Sequence, residues 1–160
     1  MQKIGSNSRD TLKIRINVVA TIRDVKTGKI KRVQKYHNLI PTVGRTAIAN
    51  WLTNASPSPA TLRVNYVALG SNVAAPANGD TQLGTETYRN TVASETNASN
   101  VAYITGFFSA TETSGTYREA GLFIAGTASA NSGTILSHVS INITKSSSET
   151  LTLDWTITIS

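Results

Sequence analysis

The sequence contains no cysteine, a single methionine and few charged residues, which make up 15% of its 160 residues. Without cysteine, neither a disulfide framework nor a thiolate metal site can form. The longest apolar runs are far shorter than the ~20 residues that span a bilayer, and no signal-peptide core stands at the N-terminus. These absences predict a soluble chain that is neither secreted by the standard route nor bound to a membrane. The length suffices for one domain with its own core.

The chain also lacks the residue spacings that mark common catalytic and metal sites. His37 and His138 are its only histidines, and they form neither an HExxH nor an HxH pair. There is no G-x-S-x-G elbow and no glycine-rich phosphate loop at a helix start. Residues 78–80 share residue types with a calcium loop, but the regular ligand spacing and the closing glutamate are missing. We therefore predict no enzyme activity, no catalytic residue, no metal and no cofactor.

Positive charge is concentrated near the N-terminus. Residues 1–45 carry eleven Lys or Arg against two Asp, whereas residues 46–160 carry four basic and seven acidic side chains. A basic segment in front of a mildly acidic body indicates an acidic partner for that segment. The charge alone leaves open whether this partner is nucleic acid, an anionic protein surface or the acidic body of a neighbouring copy.

The abundance of Thr, Ser, Asn, Val and Ile favours β structure. Alternating apolar residues and turn signals predict about eight strands, over residues 11–25, 30–36, 63–69, 85–92, 101–110, 117–125, 134–143 and 149–160. The first two form a basic hairpin over 11–37. In the last strand, apolar residues from Leu151 to Ile159 alternate with Thr and Asp, which predicts one buried and one Thr-rich face.

One segment has a helical rather than an alternating pattern. Val43, Ala47, Ile48, Trp51 and Leu52 recur at helical spacing, which predicts a helix over about 43–54 with this apolar stripe packed on a sheet. Thr42 is the predicted N-cap.

Together these elements predict an all-β fold, a jelly-roll-like β-sandwich. It forms a single domain over 11–160, preceded by an N-terminal arm over 1–10 that needs a partner to be ordered. The polar residues 70–82 are predicted to be a crossover loop between the two sheets, with Asp80 or Thr81 capping its turn.

The first group of candidate functional residues is a basic face on the arm and the hairpin. These side chains either decorate a solvent face that protects an edge strand or contact a partner, and the sequence favours neither interpretation. Nucleic acid is disfavoured because Tyr36 is the only aromatic residue of the segment. The group comprises Lys3, Arg9, Lys13, Arg15, Lys29, Lys31, Arg32 and Lys35.

The second group is Glu86, Arg89, Arg118 and Glu119, which place opposite charges beside aromatic residues within predicted strands. One interpretation is a ligand site for a sugar or a carboxylate. The other, which we favour, is a set of structural ion pairs between adjacent strands or between subunits, since one such pair can fix register.

Several short motifs follow one another in order over residues 15–160. They are Thr27–Lys29, His37–Ile40, Gly44–Arg45, Ala68–Gly70, Asp80–Thr81, Leu83, Glu86, Arg89, Glu119–Phe123, Gly133–Leu136 and Leu151–Trp155. This ordered series resembles small structural proteins of tailed bacteriophages, which are labelled tail-fibre, head-decoration or minor virion proteins. The resemblance implies a β-sandwich virion protein that works as a homotrimer and has no catalytic residue. Residues 1–14 lie outside it.

Within that group, the favoured interpretation is a capsid decoration (cement) protein, made in the host cytoplasm and located on the virion. Its arm and hairpin would bind the major capsid protein or another virion protein, and the added buried area would stabilise the shell by mass action. The alternative is a tail-tip or tail-fibre module for host attachment. That alternative predicts exposed aromatic residues in loops 54–61, 70–82 and 126–133, which contain none. Nucleic-acid binding, a third hypothesis, predicts a steep salt dependence of affinity.

Overall fold

The computed structural model describes residues 12–53 and 62–160. Within these ranges it contains nine strands and one helix, so the predicted arm 1–10 and loop 54–61 lie outside the described residues. In chain order the elements are β1 (Ile14–Asp24), β2 (Ile30–His37), α1 (Thr42–Leu52), β3 (Val64–Gly70), β4 (Glu86–Thr91), β5 (Ser94–Ala98), β6 (Val101–Phe108), β7 (Gly115–Ile124), β8 (Thr134–Lys145) and β9 (Glu149–Ile159).

The strands form two antiparallel sheets, ordered β2-β1-β9-β6-β5 and β4-β3-β7-β8. The predicted all-β sandwich is confirmed, and the core lies between the inner faces of the two sheets. Its largest fully buried residues include Trp155 and Phe108, whereas Phe123 belongs to a second, smaller cluster with Ala68, Leu83 and Ile135. The sequence of β9 alternates because its apolar residues face the core, whereas its Thr residues remain half-exposed on the outer face.

The strand β5 is the one element that the sequence did not predict. It pairs with β6 from Ser94 opposite Thr105 to Ala98 opposite Val101, at the edge of the five-stranded sheet. All five of its residues are exposed. Since none of them enters the core, the segment has no apolar alternation from which a strand could be predicted.

The helix lies close to its predicted position, but its cap and its packing differ from the prediction. Pro41 occupies the N-cap position without a side-chain cap bond, and Thr42 is the first helical residue. The prediction that the whole apolar stripe packs on a sheet is wrong for its last turn, where Trp51 and Leu52 are 50% and 69% exposed. In the described ranges, no helix has the length and apolarity needed to cross a membrane.

The helix contacts β8 through its first half. A Cβ atom at Gly44 would lie 2.9 Å from the carbonyl oxygen of Ile135 and 3.0 Å from Cα of Leu136. Glycine therefore allows the helix backbone to approach the strand more closely than any other residue would. Val43 and Ile48, on either side of this contact, are half-buried against the core.

The polar segment between Gly70 and Glu86 is not a crossover between sheets, contrary to the prediction. It joins β3 to β4, which are neighbouring antiparallel strands of the same four-stranded sheet. The segment folds back over that sheet, and Asp80 Oδ2 accepts a hydrogen bond from the N–H of Ala77 at 2.7 Å. The loop therefore belongs to one sheet, and its position depends on the side chains described below.

Candidate partner-binding surface and buried polar clusters

Part of the basic hairpin lies on the outer face of the five-stranded sheet. Val18, which is buried, is opposite Tyr36, so the alternate pairs Val19 with Lys35 and Asn17 with His37 face outward. Arg15, two residues before Asn17, is on this same face. The side chains of Arg15, Lys35 and His37 are exposed. Two permanent cations and a histidine therefore share one solvent-facing surface near the start of β1.

Two other predicted basic-face residues are bound within the chain instead. Lys31 Nζ lies 2.7 Å from Glu149 Oε1, and Arg32 Nη2 lies 3.6 Å from Glu149 Oε2. Arg32 also donates to the carbonyl oxygen of Thr144 at 2.5 Å. These contacts attach the edge strand β2 to the β8–β9 turn, so Lys31 and Arg32 stabilise the fold although their side chains are partly exposed.

Glu149 is 5% exposed and receives three hydrogen bonds from its neighbours. Besides Lys31, the N–H and the hydroxyl of Ser146 donate to Glu149 Oε2 at 2.8 and 3.0 Å. The hydrogen bond from Lys31, followed by that from the Ser146 N–H, lowers the pKa of Glu149 to about 2. The carboxylate is therefore ionised at all ordinary pH values and fixes the hairpin electrostatically.

The remaining members of the basic face fall into two classes. Lys13 and Lys29 are exposed, at the start of β1 and in the turn that joins β1 to β2. Lys3 and Arg9 lie outside the described residues. The exposed members of the predicted basic face are thus Lys13, Arg15, Lys29 and Lys35, together with Lys31 and Arg32, which also bind Glu149.

The second predicted group divides into two buried clusters. In the first, Arg89 Nε lies 2.5 Å from Glu86 Oε1 and Arg89 Nη2 lies 2.7 Å from Glu86 Oε2, a bidentate pair. Their side chains are 4% and 1% exposed. Glu86 Oε2 also accepts the N–H of Asn131 at 2.9 Å. Both residues lie on β4, so the pair extends from that strand to the loop 125–133.

The guanidinium of Arg89 makes further contacts with that loop and with the sheet. Its Nη1 donates to the carbonyl oxygen of Thr127 at 2.9 Å and to Ser132 Oγ at 2.8 Å. Its Cζ lies 4.7 Å from the ring centroid of Phe123 and 5.4 Å from that of Tyr66. The nitrogen atoms of the Arg89 guanidinium are therefore hydrogen-bonded within the chain, and the plane of the group packs against aromatic rings.

The second cluster joins Glu119 to His138 and Asp80. Glu119 is 1% exposed and accepts the N–H groups of Gly84 and Thr85 at 2.9 and 2.8 Å. His138 Nε2 lies 3.0 Å from Glu119 Oε2, and its Nδ1 lies 2.8 Å from Asp80 Oδ2. The cluster attaches the loop 71–85 to β7 and β8. Asp80 is its only half-exposed member, with a side chain that is 27% exposed.

Arg118 does not take part in this cluster, although it is next to Glu119 in the sequence. Its Nη1 donates to Asn142 Oδ1 at 2.6 Å on the outer side of the four-stranded sheet. A β-bulge at Arg118 interrupts the regular alternation of β7, because the pairing with β8 passes from Tyr117 opposite Ile143 to Glu119 opposite Ser140. The sequence placed His138 in no site, because only the pairing of β7 with β8 brings it within reach of Glu119.

A third buried cluster connects the two sheets with the segment that follows β2. Trp155 Nε1 donates to Ser137 Oγ at 2.9 Å, and Ser137 Oγ donates in turn to Asn38 Oδ1. Leu39, next to Asn38, exchanges two backbone hydrogen bonds of 2.9 Å with His138. The segment 38–40 is therefore fixed on β8 by both side-chain and backbone bonds.

Lys145 is the remaining buried charge. It is 1% exposed, and its Nζ donates to the carbonyl oxygen of Thr113 at 2.5 Å. Burial lowers the pKa of Lys145, against the opposing attraction of Glu112 and Glu149. The ammonium group holds the loop between β6 and β7 by binding backbone carbonyl oxygens.

In each buried cluster, the charged groups are thus bound by other groups of the same chain. Comparison of the chain with protein-family models, with curated proteins and with solved structures finds no match. The arrangement of the described residues can hold three loops rigidly, while the exposed cations of the hairpin remain available to a partner.

Proposed function

We propose that the chain is a structural protein of a tailed-bacteriophage virion, a capsid decoration protein that binds the outer shell as a homotrimer. In this function the sandwich is a rigid body that adds buried area across joints of the shell. Each bound trimer then stabilises the particle by mass action, without chemistry. The exposed cations of the hairpin contact acidic groups of the major capsid protein.

The proposal rests on how the structure separates its charges. Glu86, Arg89 and Glu119, all members of the ordered motif series, are buried and bound to loops of the same chain. Arg15 and Lys35, in contrast, lie exposed on one face of the sheet. A scaffold with loops bound by buried charges and with exposed cations on one face supports binding to an acidic surface rather than catalysis.

Two measurements test this function. Light scattering of the purified chain is expected to give three times its mass of 17.0 kDa.

Particles washed in rising salt are expected to release the Lys35→Glu variant at lower ionic strength than the original chain, because a charge at the edge of the contact is reversed. The matched control is Lys26→Glu, the same charge change in the exposed turn of the hairpin. Equal release of both variants would contradict the role of the outer face.

The tail-tip or tail-fibre function remains a second candidate because of two aromatic side chains. Tyr103 and Phe107 are 43% and 40% exposed. They are opposite Thr156 and Thr152, on the outer face of the five-stranded sheet. Exposed aromatic rings beside hydroxyl groups are typical of surfaces that bind sugars or proteins. Specific binding to a glycan array, lost in a Tyr103→Ala variant and kept in the control Tyr36→Phe, would favour host attachment.

A further inference from the structure

The strand β1 is longer than the part of it that pairs with β2. Pairing between the two strands ends at Asn17 opposite His37, whereas pairing with β9 continues to Ile14 opposite Ile159. After His37 the chain turns away toward β8, where Leu39 is bound to His138. In the described part of the chain, no strand continues along this side of β1 before Asn17.

The backbone of Ile14 faces that open side. Lys13 and Ser160 exchange two backbone hydrogen bonds of 2.5 and 2.8 Å, so the N–H and C=O of Lys13 point toward β9. Backbone groups of successive residues in a strand point to opposite sides. The N–H and C=O of Ile14 therefore point away from β9, toward the position that β2 has left. An edge of this kind is a template for another strand.

A groove of about 530 Å³ runs along this edge. Its apolar lining consists of Leu12, Ile14 and Ile16 from the start of β1 and of Leu39 and Ile40 from the opposite segment. The opposite wall is fixed, because Leu39 is bound to His138 and Arg45 Nη1 donates to the carbonyl oxygen of Ile40 at 2.9 Å. The groove is thus a preformed slot with an unpaired strand edge on one side.

The charge of the lining is positive. Arg15 and Arg45 line the groove, and no Asp or Glu does. The side-chain partners of Arg45 are the neutral oxygens of Asn78 and Thr42. Among the described residues, no carboxylate lies within salt-bridge distance of either arginine. Both guanidinium groups are permanently charged, so the groove attracts an acidic occupant.

We propose that the open edge of β1 binds an extended acidic segment of a partner protein, which adds to the sheet as a strand in line with β2. Backbone pairing supplies affinity, and the alternating apolar and charged lining supplies specificity. The segment 1–11 of this chain is a poorer match in charge, since it carries Lys3 and Arg9 against Asp10. Nucleic acid is also a poorer match, because the lining includes no Phe, Tyr or Trp for base stacking.

This inference rests on the proposed function, because it takes the partner to be another protein, but its test needs no particle. The probe is a synthetic peptide in which valine alternates with glutamate, blocked at both ends and labelled for fluorescence anisotropy. One control peptide has lysine in place of glutamate. A second has the acidic sequence with N-methylated peptide bonds, which keeps the side chains and removes the backbone donors. Hydrogen exchange of the Ile14 amide reports pairing at the edge itself.

The acidic peptide is expected to bind at least about tenfold more tightly than either control peptide and to slow exchange of the Ile14 amide. Arg15→Glu is expected to weaken binding by about tenfold or more, whereas Lys26→Glu, at the far end of the hairpin, leaves it unchanged. Equal binding of the acidic and lysine peptides, or unchanged exchange at Ile14, would overturn the proposal. So would tighter binding of a single-stranded oligonucleotide, or of a peptide with the sequence of residues 1–11. If the peptide tests fail while a trimer is found on the shell, the groove is rejected as a binding site and the proposed function still holds.

Discussion

His138 Nε2 lies 3.0 Å from Glu119 Oε2, and both side chains are almost completely buried. The same carboxylate accepts the N–H groups of Gly84 and Thr85. Glu119 therefore satisfies backbone donors of the loop 71–85 and a side chain of β8 at once. This arrangement makes the position of a 15-residue connection depend on one buried charge.

Replacing Glu119 by Gln is expected to destabilise the protein by about 3–5 kcal/mol. The amide can accept at only one atom, so the groups bound to the other oxygen lose their acceptor, and at Oε2 these are the Gly84 N–H and His138 Nε2. Urea unfolding measures the effect. The matched control is Glu95→Gln, since Glu95 forms an exposed pair with Arg63 and its loss should cost less than about 1 kcal/mol. Equal costs at the two positions would contradict the role given to Glu119.

Glu149 is expected to make stability depend on pH in the acidic range. Its pKa of about 2 in the folded chain lies below the ordinary value of 4.5, so the unfolded chain binds the proton more readily. The contribution of Glu149 to the free energy of unfolding is therefore complete above pH 4.5 and is lost as the pH falls toward 2.

Urea midpoints measured between pH 2 and 6 test this dependence. The Glu149→Gln variant is expected to be less stable than the original chain at pH 6 and to show a smaller loss between pH 4.5 and 2. The Lys31→Met variant removes the largest cause of the lowered pKa and should also flatten the profile. Parallel profiles for all three proteins would show that the Lys31–Glu149 pair carries no such dependence.

Gly44 is expected to resist substitution by alanine, although alanine favours helices by about 1 kcal/mol. A Cβ atom would lie 2.9 Å from the carbonyl oxygen of Ile135, so the helix would have to move away from β8. We expect a net destabilisation of about 1–3 kcal/mol in thermal or urea unfolding. At Gly79, where a Cβ meets nothing within 4 Å, alanine should change stability by less than about 0.5 kcal/mol. A more stable Gly44→Ala variant would contradict the close packing.

Ser137→Ala is expected to cost about 1–3 kcal/mol, because it leaves Trp155 Nε1 and Asn38 Oδ1 buried without their partner. The fluorescence of Trp155 should change with it, since the hydroxyl is the hydrogen-bond acceptor of the indole. Ser147→Ala, on the exposed β8–β9 turn, is the control and should alter stability by less than about 0.5 kcal/mol. An unchanged urea midpoint for Ser137→Ala would rule out this network as a stabilising contact.

The sequence predicted the strands that reach the core, and the reason lies in their alternation. β9 places Leu151, Leu153 and Trp155 inward and threonines outward, which is visible without a structure. β5 has no inward residue, so its sequence carries no such signal. The exposed end of α1 shows the reverse error, since Trp51 and Leu52 have the helical spacing of a buried stripe and yet face outward.

The pairing of charges was less predictable than the strands. Glu86 and Arg89 are three residues apart on one strand, and their contact is local. Asp80 and His138 are 58 residues apart, and Lys31 and Glu149 meet only because β2 lies near the β8–β9 turn. Such contacts depend on sheet order, which residue spacing does not encode. The sequence therefore could not show which residues of the basic face are exposed and which bind Glu149.

The location of the protein on an intact particle tests the central proposal most directly. Electron cryomicroscopy of virions that carry this chain, compared with virions that lack it, is the measurement. The proposal predicts threefold density on the outer surface of the head, with the Arg15 and Lys35 face of the hairpin toward the shell. Density for this chain at the tail alone, with a bare head surface, would contradict it.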